Sequence, residues 1–495
     1  MVLPSRNFHE AGIPIYDNQI CVVMVGLPAR GKSLIAQKAC RYLRWLSVDA
    51  KVFNVGCYRR KQAAKPPASF FDVNNPEGER MRRAAAEEAM KEMLLWFQGA
   101  GTIAFFDATN SSKSRRQWIK DECDANGIET LYVESKCDDE ELIMSNILEV
   151  KTTSPDYDGQ DPEEAARDFR DRISNYEKVY ETIGESENHL TYVKILNVGK
   201  QVIINLIQDY LQSRVVYFMM NLHIKRRSIW LSRHGESQWN VLGKIGGDAE
   251  LSARGEEYAR LLPALVDKSL QVYQQAYYNR TYAYHALQGE EHPLTIWTST
   301  LKRTIATARH LPAAYNQLQW KALDELDSGV CDNMTYAEIK EEFPEDFEAR
   351  DHDKYNYRYR GGESYRDIVT RLEPIIMELE RSENILIVTH QAILRCIYAY
   401  FMNKDHVKSP WMNVPLHTLI KLTPNAYGCE VELYKTDIAA VSTWRGKGSV
   451  AKHEDPTEGT VTMGVHAEVE ADAATEAKPP TKKLANIGLD DIKEE

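Results

Sequence analysis

Apolar residues along this chain fall into two kinds of segment: short unbroken runs, and longer stretches in which they recur every third or fourth position. Runs of the first kind read as buried strands, and stretches of the second as helices packed by one face. In the first half the strands are 19–25 (QICVVMV), 102–106 and 130–133, and the helices are 34–46, 113–126, 140–150 and 163–183. A helix over 202–211 and an apolar stretch at 215–222 complete this half, and 223–227 is a short basic join. Such alternation predicts an α/β fold, a parallel sheet with helices on both faces.

The same pattern then begins again. An apolar strand opening at Ser228 runs into Leu-Ser-Arg-His-Gly-Glu-Ser at 231–237, and further strands are expected at 295–299 and 384–389. Helices are expected at 252–266, 301–311 and 391–401. Between them, 273–292 carries many tyrosines and little periodicity, and reads as a loop or excursion. From 447 to 495 large apolar residues almost vanish in favour of Ala, Glu, Asp, Thr, Gly and Pro, so this segment is expected to be a disordered acidic tail. The resulting division is a first domain at 1–223, a second at 224–446 and the tail at 447–495.

Composition agrees with two domains, because 495 residues exceed what one core supports. A net charge of -12 argues against a nucleic-acid or membrane-surface partner, either of which selects a basic field, but leaves room for local basic pockets. The eight cysteines are scattered, with no CxxC pair, which fits reduced thiols and a cytoplasmic location. Residues 1–10 lack a signal pattern, and no apolar run approaches membrane-spanning length.

Chemistry enters first at Gly26-Leu27-Pro28-Ala29-Arg30-Gly31-Lys32-Ser33, a complete GxxxxGK[ST] between a strand and a helix. Backbone N–H groups of such a loop cradle phosphates, while Lys32 would reach the β- and γ-phosphates and Ser33 the magnesium. The strand over 102–106 delivers Asp107 to the sheet's carboxyl edge. Alone, Asp107 would read as a helix cap; beside a phosphate loop, magnesium binding is the better reading. Arg59, Arg60, Arg82, Arg83, Arg115, Arg116, Lys151 and Arg172 accumulate around this half and suggest an anionic acceptor, although any one of them can be merely solvated.

In the second half His234 follows Arg233 at a strand end, and His390 ends another strand. Histidine is a competent nucleophile near neutral pH, and an adjacent guanidinium can orient a phosphate for attack.

These stretches together resemble the bifunctional 6-phosphofructo-2-kinase/fructose-2,6-bisphosphatase family, from about residue 18 to about 445. The resemblance is carried by GLPARGKS (26–33), FNVGCYRR (53–60), FDATN (106–110), VESKC (133–137), SPDY (154–157), RHGES (233–237), TLKRT (300–304), DSGVCDNMTY (327–336), GGESY (361–365), RLEPIIMELE (371–380) and THQAILRC (389–396). It implies a P-loop nucleotide-kinase-like domain followed by a histidine-phosphatase, phosphoglycerate-mutase-like α/β domain, and a homodimer.

In the kinase half the resemblance places Gly26, Ala29, Arg30, Gly31, Lys32, Ser33 and Asn146 at ATP, with Asp107 near magnesium or acting as a base and Lys151 among the catalytic groups. Arg59, Arg82, Thr109, Arg115, Arg172 and Tyr176 would meet fructose 6-phosphate and the transition state. In the phosphatase half it makes His234 the nucleophile, Arg233, Arg303 and His390 the phosphoryl ligands, and Glu325 the acid and base, with no cofactor. Asn240, Tyr336, Arg350, Lys354, Tyr365, Gln391 and Arg395 would line the fructose 2,6-bisphosphate pocket. Asp324 and Asp327 leave the choice of Glu325 open from the residues alone. Thr389 stands where many relatives carry cysteine, and 273–292 is an insertion. Arg226-Arg227-Ser228 looks like a basophilic kinase site, but Ser228 opens a predicted strand.

Three functional readings remain at this stage: an enzyme that both makes and destroys a regulatory sugar bisphosphate, an enzyme with one silent site, and a nucleotide-binding scaffold that holds phosphosugar without turnover.

Overall fold

The computed structural model describes residues 18–62, 66–72, 74–140, 143–144, 147, 162–222, 227–281, 294–382, 384–425, 428–446 and 485–486. The chain divides into two units, Met1–Ile224 and Lys225–Glu495.

The first unit is built on six strands: β1 (Ile20–Val25), β2 (Ala50–Asn54), β3 (Ile103–Asp107), β4 (Glu129–Lys136), β5 (Tyr192–Leu196) and β6 (Gln201–Asn205). Their order is β2-β3-β1-β4-β5-β6, with all but the last pairing in parallel. β1 is buried along its whole length, as its unbroken apolar run requires. The helix Pro76–Phe97 starts on an Asn75 cap and a first-turn proline, and lays Ala85, Ala86, Ala89, Met90 and Met93 onto this core. Because β1 lies between β3 and β4, its carboxyl end opens at the place in the sheet where a phosphate loop sits.

Two expectations for this unit are corrected. Residues 201–205 are not helix but the edge strand β6, antiparallel to β5. Asn197, Val198 and Gly199 all take positive φ, and this turn folds the chain back before a helix can start. The helix instead begins at Tyr210, behind an Asp209 cap, and ends at Met220. The helix expected over 163–183 spans Pro162–Glu177. Beyond it the Tyr180 hydroxyl and the Ile183 amide both turn inward to buried Glu134, at 2.5 and 3.3 Å, and join Lys194 in satisfying its carboxylate.

The second unit has β7 (Ile229–Arg233), β8 (Thr295–Thr298), β9 (Asn316–Gln319), β10 (Ile385–Thr389), β11 (Thr418–Asn425), β12 (Gly428–Lys435) and β13 (Ala485–Asn486). The order is β13-β12-β11-β7-β10-β8-β9; β9, β8, β10 and β7 run parallel, and β11 and β12 are antiparallel additions. Trp230, Tyr258, Leu262, Leu386 and Leu419 meet in its core. The register sets Thr389 beside Arg233, so His234 and His390 leave the same edge of adjacent strands.

Residues 273–281 are a correction as well. They are not a loop, since the helix Ala253–Thr281 continues through them. No glycine or proline occurs between Pro263 and Gly289, so nothing in the sequence stops it. The remainder of the expected excursion lies outside the described residues, as does the tail apart from β13. Among the described residues no helix is long and apolar enough to cross a membrane, and all eight cysteines are free thiols.

Candidate active sites

The phosphate loop follows β1 with the backbone its motif demands. Gly26 takes φ +134, and a side chain there would place its Cβ 2.4 Å from the Ser135 carbonyl oxygen, so no other residue fits. Ala29 and Gly31 also have positive φ, at 59 and 77. Arg30 donates to the Cys137 carbonyl at 3.0 Å, and the Ser135 hydroxyl donates to the Arg30 carbonyl at 2.5 Å, so the loop is strapped to the end of β4. Ala29 packs on the cluster of Cys137, Phe169 and Ile173. The Gly26 amide donates to the Thr109 carbonyl, tying the loop also to the segment after β3.

Lys32 and Asp107 meet in the buried heart of this site. The Lys32 ammonium donates to the Leu27 carbonyl at 2.6 Å. Burial lowers its pKa to about 8, against the opposing pull of the Asp107 charge. Burial likewise raises Asp107, while hydrogen bonds from Ser33 and Asn54 and the charge of Lys32 favour its ionised form. The pairing of Asn54 with Asp107 follows from register, since the two are direct neighbours on β2 and β3, 2.5 Å apart at their side chains. A hydroxyl and a carboxylate converging beside a phosphate loop form an oxygen donor set that suits magnesium.

The basic residues resolve into groups. Arg172 stacks on Phe71 at 3.9 Å, Arg59 reaches the same ring at 5.4 Å, and Tyr176 packs against it at 5.8 Å. Arg82 lies over the neighbouring Phe70 and donates to its carbonyl. The short turn Ala68–Phe71 therefore gathers four of the expected sugar-phosphate residues. Arg172 also adds its charge to the surroundings of Lys32. Arg115 stands over Trp118 at 4.3 Å, next to Arg83 and Glu87. Arg116 is taken out of the ring, because it is fully buried in a two-point ion pair with Glu187 at 2.7 Å. Asn146 and Lys151 lie outside the described residues.

In the second unit the loop after β7 is pinned at each amide. His234 N–H donates to the Thr389 carbonyl, Gly235 N–H to the Thr307 hydroxyl, Glu236 N–H to the His417 ring and Ser237 N–H to the Asn240 side chain. Glu236 is itself clamped by Ser252, both arms of Arg254 and the Val441 amide. The His234 Nδ1 lies 2.7 Å from the Gly235 carbonyl, which can only accept. The proton is thus on Nδ1, and Nε2 carries a free lone pair. Burial, reinforced by Arg303 and Arg233, holds the His234 pKa well below its usual value, so the ring is neutral.

The His390 ring stands 5.2 Å from that of His234 and meets Ser299 through Nε2 at 2.8 Å. Three buried nitrogens here, Arg233 Nε, His390 Nδ1 and Gln391 Nε2, have no hydrogen-bond partner in the protein. Buried donors left so are costly and mark a ligand position. Arg233, His234, Arg303, Glu325 and Gln391 line a cavity of about 380 Å³, and Asn240, Tyr336, Arg350, Lys354, Tyr365 and Arg395 line it too. Glu325 accepts the Leu326 and Ala392 amides at 3.0 and 3.3 Å. Its neighbour Asp324 is consumed by Thr300, whose amide and hydroxyl both donate to it at 2.8 Å, and it does not line the cavity. Arg350 binds the hydroxyls of Tyr336 and Tyr359, Arg395 that of Tyr365, and Lys354 the Pro410 carbonyl. Burial and the charges of Arg350, Arg395 and Arg445 push the Lys354 pKa well down, a strain that an anion in the cavity relieves.

Sequence reasoning missed Arg445 and Tyr359, which also line this cavity. Arg445 pairs with Asp351 at 2.6 Å and lies over Phe347. Its only signal is a cation just before the composition changes. Ser228 lies one residue before β7, not within it, but it is fully buried against Thr423, which closes it to a kinase. Among the described residues no cluster of three potential metal ligands occurs.

Comparison with known proteins matches each unit separately and the chain as a whole. A 6-phosphofructo-2-kinase family model matches residues 11–226, and a histidine phosphatase superfamily (branch 1) model matches 229–278 and 280–437. A Saccharomyces cerevisiae protein named fructose-2,6-bisphosphatase is 53% identical over 88% of this chain and 92% of its own. Proteins named 6-phosphofructo-2-kinase/fructose-2,6-bisphosphatase from Aquarana catesbeiana and, as form 4, from Homo sapiens are 46% and 43% identical over 92% and 94% of this chain. They are covered over 93% and 95% of their own lengths. With a phosphate loop, a histidine pair and this similarity over 88% to 94% of its length, the chain belongs to the 6-phosphofructo-2-kinase/fructose-2,6-bisphosphatase family.

Proposed function

We propose that the chain synthesises fructose 2,6-bisphosphate from fructose 6-phosphate and MgATP in its first unit and hydrolyses it in its second. The observation that carries the second half is the set of buried unpartnered nitrogens of Arg233, His390 and Gln391 around a neutral His234. His234 Nε2 attacks the phosphorus of the 2-phosphate, the bond to the sugar O2 breaks, and Glu325 gives its proton to that oxygen. Water, deprotonated by Glu325, then attacks the phosphohistidine, releasing phosphate and restoring the neutral ring. Arg233, Arg303, His390 and Gln391 hold the phosphoryl oxygens. Asn240, Tyr336, Arg350, Lys354, Tyr365 and Arg395 hold the sugar and its 6-phosphate.

In the first unit Gly26, Ala29, Arg30, Gly31 and Lys32 cradle the ATP phosphates. Arg59, Arg82, Thr109, Arg115, Arg172 and Tyr176 bring the acceptor sugar phosphate, and Asn146 and Lys151 complete the set on family grounds. Ser33 and Asp107 would hold magnesium, which supplies charge neutralisation on the transferring phosphoryl oxygens when bound. Lys32 steadies the γ-phosphoryl oxygens as charge moves to the leaving group. A cytoplasmic homodimer completes the proposal. The edge strand β6 exposes Ile203, Ile204 and nearby Leu206, a surface that a second copy can cover.

A phosphatase with a silent kinase site is the second reading, since the Saccharomyces cerevisiae relative is named for that activity alone. Two incubations decide. With γ-labelled MgATP and fructose 6-phosphate, labelled bisphosphate should form and be lost in Lys32→Ala; no product from wild type leaves the phosphatase alone. With 2-labelled bisphosphate, acid-labile label should appear on the protein and vanish in His234→Ala; label persisting in that variant refutes the nucleophile.

A further inference from the structure

Behind the phosphatase loop lies a hydrogen-bond chain that the reaction as described does not use. The Gly235 carbonyl that accepts from His234 Nδ1 at 2.7 Å belongs to the same peptide group as the Glu236 N–H. That N–H donates at 3.0 Å to His417 Nε2. His417 Nδ1 in turn stands 3.2 Å from the Ile438 carbonyl, which can only accept. Each link therefore has one polarity: Ile438 takes the proton of His417 Nδ1, His417 Nε2 takes that of the peptide, and the peptide oxygen takes that of His234 Nδ1. Two histidines, 183 positions apart by the difference of their numbers, are joined through one amide.

His417 is built to hold this role. It is only 3% exposed, and its ring lies flat on Tyr258, with centroids 4.9 Å apart and planes at 19°. Tyr258 is fixed by a 2.7 Å bond to Ser232 on β7. The His417 backbone has φ +51, a conformation that is unfavourable for a non-glycine residue and persists only where the surroundings over-determine it. Burial lowers its pKa to about 4, so the ring is neutral at neutral pH, and the Ile438 carbonyl at Nδ1 leaves Nε2 as the acceptor.

We propose that His417 is a positioning residue of the phosphatase site, which fixes the Gly235–Glu236 peptide and through it the Nδ1–H tautomer of His234, leaving Nε2 to attack. The inference rests on the phosphohistidine reading above. An N–H donated into a peptide that is itself donating is strengthened by polarisation along the chain, so loss of the far end weakens the near one. A rotated peptide would also turn its carbonyl away from His234 and let the proton move to Nε2, where attack is blocked.

The test uses the full chain with selectively ¹⁵N-labelled histidine, together with rapid-quench phosphoenzyme formation. In wild type the ring nitrogens of both His234 and His417 should report the Nδ1–H form. His417→Phe fills the space without an acceptor. It should move His234 to a mixture of tautomers and slow phosphoenzyme formation by about tenfold, with KM within about twofold. His417→Gln returns an acceptor near Nε2 and should recover most of the rate. A wild-type His417 carrying its proton on Nε2 overturns the proposal without any variant, so misfolding of the phenylalanine form does not protect it. A His417→Phe that folds and keeps both the His234 tautomer and the rate also overturns it. Failure of wild type to form any phosphohistidine would instead remove the underlying reading.

Discussion

A single methyl group added at Gly235 is predicted to disable the phosphatase without touching any reacting atom. The Cβ of Gly235→Ala would stand 2.4 Å from the Gly255 carbonyl oxygen and 2.9 Å from two further Gly255 backbone atoms. A side chain on Gly255 would in turn sit 2.1 Å from the Glu236 carbonyl, so the two backbones are interlocked. Ordinary contact begins at 3.4 Å, and one backbone must therefore retreat by about 1 Å. The helix carrying Gly255 is anchored in the core by Tyr258, Leu262 and Leu265. Any displacement of the loop carries with it the Gly235 carbonyl and the His234 ring. A misplacement of about 1 Å at a reacting group costs on the order of 10² in rate. The overpacking itself costs roughly 1–3 kcal/mol of stability. Phosphoenzyme formation should be followed by rapid quench with 2-labelled bisphosphate, alongside thermal unfolding of the same preparation. A variant that forms phosphohistidine within about threefold of the wild-type rate would show that the tight approach does not position the nucleophile.

Other outcomes follow from the same geometry. Lys32 is charged below its lowered value of about 8, so kcat/KM for ATP should fall as the pH rises through that point; a profile flat into the ordinary lysine range would contradict its burial. Arg445→Met removes a cation from the cavity wall and should raise KM for the bisphosphate by roughly tenfold with kcat nearly unchanged, so a fall confined to kcat would refute it. Burial depresses the pKa values of His234, His390 and His417, so the folded state refuses protons that the unfolded chain accepts. Stability of the second unit should therefore be greatest above the unfolded value of 6.5 and decline as the pH drops below it. The decline is up to about 1.4 kcal/mol per pH unit for each histidine. Denaturant melts of His390→Gln should show a shallower decline, and an identical slope would count against that origin.

How much of this could be read from the residues alone depended on whether the chemistry is contiguous. Gly26 to Ser33 and Arg233 to Ser237 lie within single strand-to-loop turns, where motif and geometry are the same thing. Arg116 misled because it follows Arg115, and adjacent helix positions face different ways: one side chain stacks on a tryptophan, the other is sealed against Glu187. β6 misled because an edge strand need not alternate cleanly, and its Ile203 and Ile204 are both exposed. Asn54, His417 and Arg445 were out of reach for another reason. Their partners Asp107, Glu236 and Asp351 lie on a strand, a loop and a helix far away in sequence, and only sheet register and packing bring them near.

The side-by-side parallel pairing of β7 and β10 has one more effect. A strand alternates its faces with every residue, so inserting or deleting one residue in either strand would throw one histidine onto the opposite side of the sheet. Those ten positions work as a fixed ruler. Residues 273–292 instead lead in sequence to the amino end of β8, a strand parallel to β10, at the far edge from both histidines. The fold thus has a tolerant rim and an intolerant rim: length added at the first leaves the spacing of the two histidines unchanged, whereas length added at the second alters it.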